Sequence, residues 1–262
     1  MTLHTHSRVF GTAKRQALAI HCTLAHCGAW RGMGDALGDD LSLLAMDMAS
    51  HGKSGDWDGT GNLHDVVTDM ARGLMDEPID VIGHSFGATV ALRLAVESPE
   101  LVRSITMIEP VYFAALLADD PDQQAGYDSS HRPFADAFAS GDTMKAARVF
   151  NRDWGDGTRW DDIPQTTRDY MAARMHFVIG SSAFIRDDSS GLLANNLFAR
   201  ATMPGVLVHG GTSPPVSAQI NASLARRMPQ LEVVEIENAG HMAPLTHPAE
   251  VAKVVRKLIA RC

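Results

Sequence analysis

Cysteine is scarce: three residues in 262, at positions 22, 27 and 262, too few and too unevenly spaced for a disulfide framework. A reducing compartment is therefore expected. No apolar run reaches the roughly 18 residues of a membrane-spanning helix, and Met1-Thr2-Leu3-His4-Thr5-His6-Ser7-Arg8 lacks the apolar core of a secretory leader. Together these features read as a cytoplasmic protein with no membrane partner. Basic residues are outnumbered, 23 Lys and Arg against 31 Asp and Glu, and the net charge of −8 speaks against a nucleic-acid surface. Neither G-x-x-x-x-G-K-[ST] nor G-x-G-x-x-G follows a strand-like run, so the glycine-rich pieces read as turns and no organic cofactor is implied. His21, Cys22, His26 and Cys27 crowd together, yet no second ligand pair follows downstream, and no metal is expected.

What is present is an alternation of short apolar runs with helical patterns up to residue 110. That alternation predicts a mostly parallel, doubly wound sheet covered on both faces. Ala17–Cys22, Leu41–Met46, Ile79–Gly83 and Ser104–Ile108 are the expected strands. Between them Leu63, Val66, Val67, Met70 and Leu74 recur at helical spacing, with Asn62 in position to cap the helix. From 111 to 201 the character changes to helical stretches around Phe134–Phe150 and Thr166–Ile179, the pattern of a helical lid inserted over the sheet's carboxyl edge. The sheet pattern resumes with Gly205–His209 and Leu231–Ile236, and Pro248–Ala260 reads as a final amphipathic helix. The expected organisation is one core, 1–110 and 202–262, interrupted by a lid at 111–201.

Gly83-His84-Ser85-Phe86-Gly87 carries the chemistry. A G-x-S-x-G turn between a strand and a helix exposes its serine as a nucleophile, the glycines permitting a turn that side chains would block. The backbone N–H groups at the start of the following helix face the place where an oxyanion would form.

With that turn in place, the chain resembles the α/β-hydrolase superfamily along nearly its whole length. Asn238-Ala239-Gly240-His241 is similar to the loop that delivers the family's catalytic histidine. Asp47 with His51-Gly52-Lys53-Ser54 is similar to its D-x-x-G-x-G-x-S turn, and Ile20-His21-Cys22-Thr23 through Trp30 resembles its oxyanion loop. The resemblance implies an α/β-hydrolase fold, Ser85 as nucleophile, His241 as general base, and the Phe86 and Thr23 N–H groups as oxyanion donors.

Two positions depart from the family pattern. Cys22 stands where glycine usually follows the oxyanion-loop histidine; it either crowds the acyl pocket or shifts the loop, or fits as a small apolar residue at a negative φ. Ser213 stands where the family's acid is usual, and a hydroxyl has no charge to stabilise an imidazolium. Glu109, at the end of the strand beside the nucleophile strand, is the expected substitute, with Asp187 and Asp188 as more distant alternatives. The implied activity is hydrolysis of a small carboxylic ester or related acyl compound, the partner being a small-molecule acyl substrate. Carbon–carbon hydrolysis of a diketone, as in the meta-cleavage-product hydrolases, uses the same three groups. A binding or signalling protein with little turnover is the reading from another class. Self-association through the lid is left open.

Overall fold

The computed structural model describes residues 3–262; residues 1 and 2, at the head of the expected core and of the stretch weighed as a leader, lie outside the described residues. The strands are β1 (Ser7–Phe10), β2 (Gln16–Ile20), β3 (Ser42–Met46), β4 (Ile79–His84), β5 (Val102–Ile108), β6 (Gly205–Gly210) and β7 (Leu231–Ile236). They form one sheet in the order β1-β3-β2-β4-β5-β6-β7, with β1 antiparallel to β3 and the other six parallel. The helices are α1 (Arg31–Leu37), α2 (Leu63–Arg72), α3 (Phe86–Glu97), α4 (Phe113–Asp119), α5 (Gln123–Ala139), α6 (Thr143–Trp154), α7 (Gln165–Ala172), α8 (Met175–Ile185), α9 (Pro215–Arg227), α10 (Ala243–Thr246) and α11 (Pro248–Ile259). Among the described residues no helix is long and apolar enough to cross a membrane.

Side chains alternate faces along each strand, and the two resulting sets have different covers. Leu18, Ile20 and Val81 face α2 and α3 in one core, while Ala17, Ala19 and Ile82 face α1 and α11 in the other. All six residues of β4 are buried, as a central strand covered twice requires. Asn62 accepts from the His64 and Asp65 N–H groups and so caps α2. A third, smaller cluster lies within the segment between β5 and β6, where Phe134, Ala137, Ala146, Met171 and Met175 pack together.

The structure corrects several element boundaries. Phe134–Phe150 is not one helix: Gly141, at φ +80°, turns the chain between α5 and α6. Thr166–Ile179 likewise divides between α7 and α8, where the Arg174 guanidinium folds back over the Tyr170 ring and donates to its carbonyl. β2 stops at Ile20, leaving Cys22 in the loop beyond. β1 was not anticipated, being four residues long with Arg8 and Val9 exposed, so its identity comes from pairing with β3. Thr23, Ser85, Glu109 and His241 follow β2, β4, β5 and β7 respectively, and so gather at the carboxyl edge of the sheet, where open α/β sheets form their crevices.

Candidate active site

Ser85 occupies a backbone conformation that L-residues rarely adopt, φ +55° and ψ −117°, at the junction of β4 and α3. Its N–H donates to the Ile108 carbonyl at 2.8 Å, tying the turn to the end of β5. A β-carbon on Gly83 would fall on the Gly87 carbonyl and Ala88, and one on Gly87 would fall on the carbonyl oxygens of Ile20 and His21. The turn is thus wedged against β2, and the strain at Ser85 is held by its surroundings.

His241 Nε2 lies 3.0 Å from Ser85 Oγ, and His241 Nδ1 lies 3.1 Å from Glu109 Oε2. Three separate strand ends therefore meet in one hydrogen-bonded chain. Glu109 is itself strained, at φ +53°, and is 1% exposed. Four donors surround its carboxylate: the Gly210 N–H at 2.7 Å and Ser213 Oγ at 2.6 Å on Oε1, Ser217 Oγ at 2.6 Å and His241 on Oε2. Burial alone would raise its pKa, but these hydrogen bonds and the adjacent imidazole hold the carboxyl down to about 2, so it is ionised. Ser213 donates its hydroxyl to the Glu109 carboxylate. Asp188 is spent elsewhere, accepting from Tyr112 Oη and the Leu192 and Leu193 N–H groups, and Asp187 lies beside Arg186. His84 Nε2 lies 2.8 Å from the His241 carbonyl and holds the histidine loop; burial, with His241 nearby, pushes it down to about 3, so it is neutral and donates there.

The loop after β2 is clamped on both sides of Thr23. His21 Nε2 accepts from the Met48 N–H, so its Nδ1 carries the hydrogen given to the Cys22 carbonyl; burial pushes His21 down to about 4. His51 Nε2 accepts from the Leu24 N–H in the same way. Asp47 accepts from the Cys27 and Lys53 N–H groups and thereby joins this loop to the turn after β3. Tyr170, from α7, donates to the Ala25 carbonyl at 3.0 Å and accepts from the Gly52 N–H at 3.2 Å. The residue with positive φ in this loop is Leu24, not Cys22; Cys22 is buried and lines a cavity other than the one containing Ser85. Among the described residues neither the Phe86 nor the Thr23 N–H has a hydrogen-bond partner, and both residues line the cavity with Ser85. The site can therefore offer a polarised hydroxyl, a base and two free N–H donors.

Tyr170 and Ser217 were not anticipated, nor was the clamping role of His21 and His51, since each acts through a partner distant in sequence. A further group, His6, Cys27 and Asp47, brings its ligand atoms within 4.8 Å of one another, but both Asp47 oxygens are already engaged by backbone N–H groups. The cavity beside Ser85 measures about 590 Å³ and is walled largely by residues of α4, α5, α6 and α8. Trp154 closes one side of it and sets its ring edge-on to His241, centroids 4.9 Å apart.

Comparison with known proteins bears on this arrangement. The chain is 26% identical to Lipase LipV of Mycobacterium tuberculosis over 98% of each protein. It is 24% identical to 2-hydroxymuconate semialdehyde hydrolase of a Pseudomonas species over 88% of this chain and 81% of that one. A crystal structure of a hydrolase from Pseudomonas aeruginosa superposes with a TM-score of 0.75 at 19% identity, covering 97% of this chain and 94% of that one. The model of the Alpha/beta hydrolase family matches residues 17–254. By that match, over a fold with the strand order described above, the chain belongs to the alpha/beta hydrolase family and is a hydrolase.

Proposed function

We propose that the protein cleaves a small carboxylic ester or related acyl compound through an acyl-enzyme on Ser85. One observation carries this reading: the unbroken chain from Ser85 Oγ through His241 to the Glu109 carboxylate. An ionised carboxylate only accepts, so His241 Nδ1 keeps the hydrogen and Nε2 presents its lone pair to Ser85. As Ser85 Oγ attacks the carbonyl carbon, His241 takes the hydroxyl proton. The Phe86 and Thr23 N–H groups meet the resulting oxyanion, at about 3–4 kcal/mol per donor. Collapse of the tetrahedral intermediate breaks the bond to the leaving group, which receives the proton from His241. Water then attacks the acyl-enzyme by the same route and releases the acid. Glu109 remains ionised and stabilises the imidazolium formed in each half-reaction.

In this reading residues 111–201 are the lid, which shapes the acyl cavity and keeps water out, and 1–110 with 202–262 are the core that holds the reacting groups. A cytoplasmic setting accompanies it, since three unpaired cysteines suit a reducing compartment. Carbon–carbon cleavage of a diketone is the second reading, favoured by the likeness to 2-hydroxymuconate semialdehyde hydrolase. A binding protein with little turnover rested on the uncharged Ser213, and that ground is lost with a carboxylate 3.1 Å from His241. Titration with a fluorophosphonate tests the proposal. One equivalent should attach at Ser85 and none in Ser85→Ala; an unreactive Ser85 in folded protein would sink it. Parallel assays of p-nitrophenyl esters, lactones and diketones separate the ester reading from the second.

A further inference from the structure

Resting on the serine-hydrolase reading, we infer that the cavity beside Ser85 takes an uncharged, apolar substrate group longer than acetyl and rejects chains that end in a carboxylate. The cavity beside Ser85, about 590 Å³, falls in the range that buries ligands of drug size. Phe113, Tyr127, Phe134, Phe150, Trp154 and Val178 supply much of its wall. Its lining has one cationic side chain, Arg152, and no lysine. Its side chain is 63% exposed and its guanidinium is paired, with Nε 2.7 Å and Nη2 3.2 Å from the two carboxylate oxygens of Asp153, which lines the same cavity. The pair sums to zero charge. Burial lowers the pKa of His131 and pushes that of Tyr127 up to about 12, so both of these wall groups are neutral at pH 7. Behind the wall, Arg186 is held by Asp128 at 3.1 Å and lies 3.8 Å from Asp187.

Four of the uncharged donors are committed as well. Ser130 donates to the Tyr127 carbonyl at 2.9 Å, and Ser181 and Ser182 both donate to the Val178 carbonyl, at 2.7 and 3.5 Å. Gln123 donates to Asp120 at 3.1 Å. The Gln219 amide, the Tyr127 hydroxyl and the Trp154 indole N–H have no hydrogen-bond partner among the described residues. A carboxylate placed here would exchange its water for a largely apolar wall with no net positive charge and three scattered neutral donors, an arrangement that disfavours it by about two powers of ten. An alkyl chain loses nothing by the same move and gains about fourfold per buried methylene.

Two alkyl fluorophosphonates of equal length, one ending in a methyl group and one in a carboxylate, test the inference through their rates of reaction with Ser85 at pH 7. The methyl-ended probe should react at least about 100-fold faster. Asp153→Asn, which frees Arg152, should narrow that ratio severalfold. Rates within about threefold of each other in the wild type would overturn the inference while leaving the hydrolase reading intact. An unchanged ratio in Asp153→Asn would overturn the part given to the Arg152–Asp153 pair. Reaction of neither probe in folded protein would overturn the hydrolase reading, and this inference with it.

Discussion

Replacing Glu109 by glutamine changes little in shape and should remove most of the activity. The Gly210 N–H can only donate, so the glutamine oxygen must take the Oε1 position and its NH₂ group the Oε2 position. That NH₂ faces Ser217 Oγ, which can accept, and His241 Nδ1, which would have to. The imidazole then carries its hydrogen on Nε2, pointing at Ser85, and is no longer a base. The charge is lost too: at 3.1 Å and an effective dielectric of about 20, an imidazolium–carboxylate pair attracts by about 5 kcal/mol. By the usual 1.36 kcal/mol per tenfold, that is nearly four powers of ten in kcat. Steady-state hydrolysis of a p-nitrophenyl ester, with thermal unfolding as a folding control, is the assay. Turnover of Glu109→Gln within about threefold of wild type, in folded protein, would refute the reasoning about both charge and tautomer.

Three further outcomes are expected. Ser213→Asp alone should impair the enzyme, because a second carboxylate would stand against Glu109 Oε1, which Ser213 Oγ now meets at 2.6 Å. Combined with Glu109→Gln it should restore activity at least about tenfold over Glu109→Gln alone, and a double variant no better than the single contradicts the idea that the two positions share one role. Tyr170→Phe leaves the Ala25 carbonyl and Gly52 N–H unpaired and loosens the loop bearing Thr23; kcat should fall about tenfold with KM within twofold, whereas a rise in KM alone would place Tyr170 in substrate binding. Stability should decline from pH 6.5 toward 4. Burial depresses His21 to about 4 and His84 to about 3, so the unfolded chain takes up protons that the folded one refuses, and each histidine removes about 1.4 kcal/mol per pH unit across that window. A melting temperature unchanged between pH 7 and 5 would show that these rings are not held neutral.

The sheet was legible because its strands are short apolar runs with turn residues between them, and Ile79–Gly83 reads as buried on both faces from its residues alone. Ser85 was legible for a local reason as well: the strand, the two glycines and the helix are contiguous. Glu109 was named from a deficit of charge at Ser213, and the structure brings it to within 3.1 Å of His241. Legibility ended where a pairing spans the chain. Ser217 reaches Glu109 across 108 positions and Tyr170 reaches Ala25 across 145, and nothing near either residue signals its partner. β1 escaped for the same reason, since Arg8 and Val9 make a strand only against β3. The division at Gly141 was missed because apolar residues on both sides keep helical spacing through the turn.

A carbamate ester whose carbamoyl-enzyme reacts slowly with water provides the most direct measurement, by intact mass followed by peptide mapping. The wild-type protein should gain one carbamoyl mass, on the peptide bearing Ser85, with one leaving group released per chain. Ester turnover that persists in Ser85→Ala, or a wild-type protein that turns over esters while that peptide stays unmodified, would contradict an acyl-enzyme at Ser85.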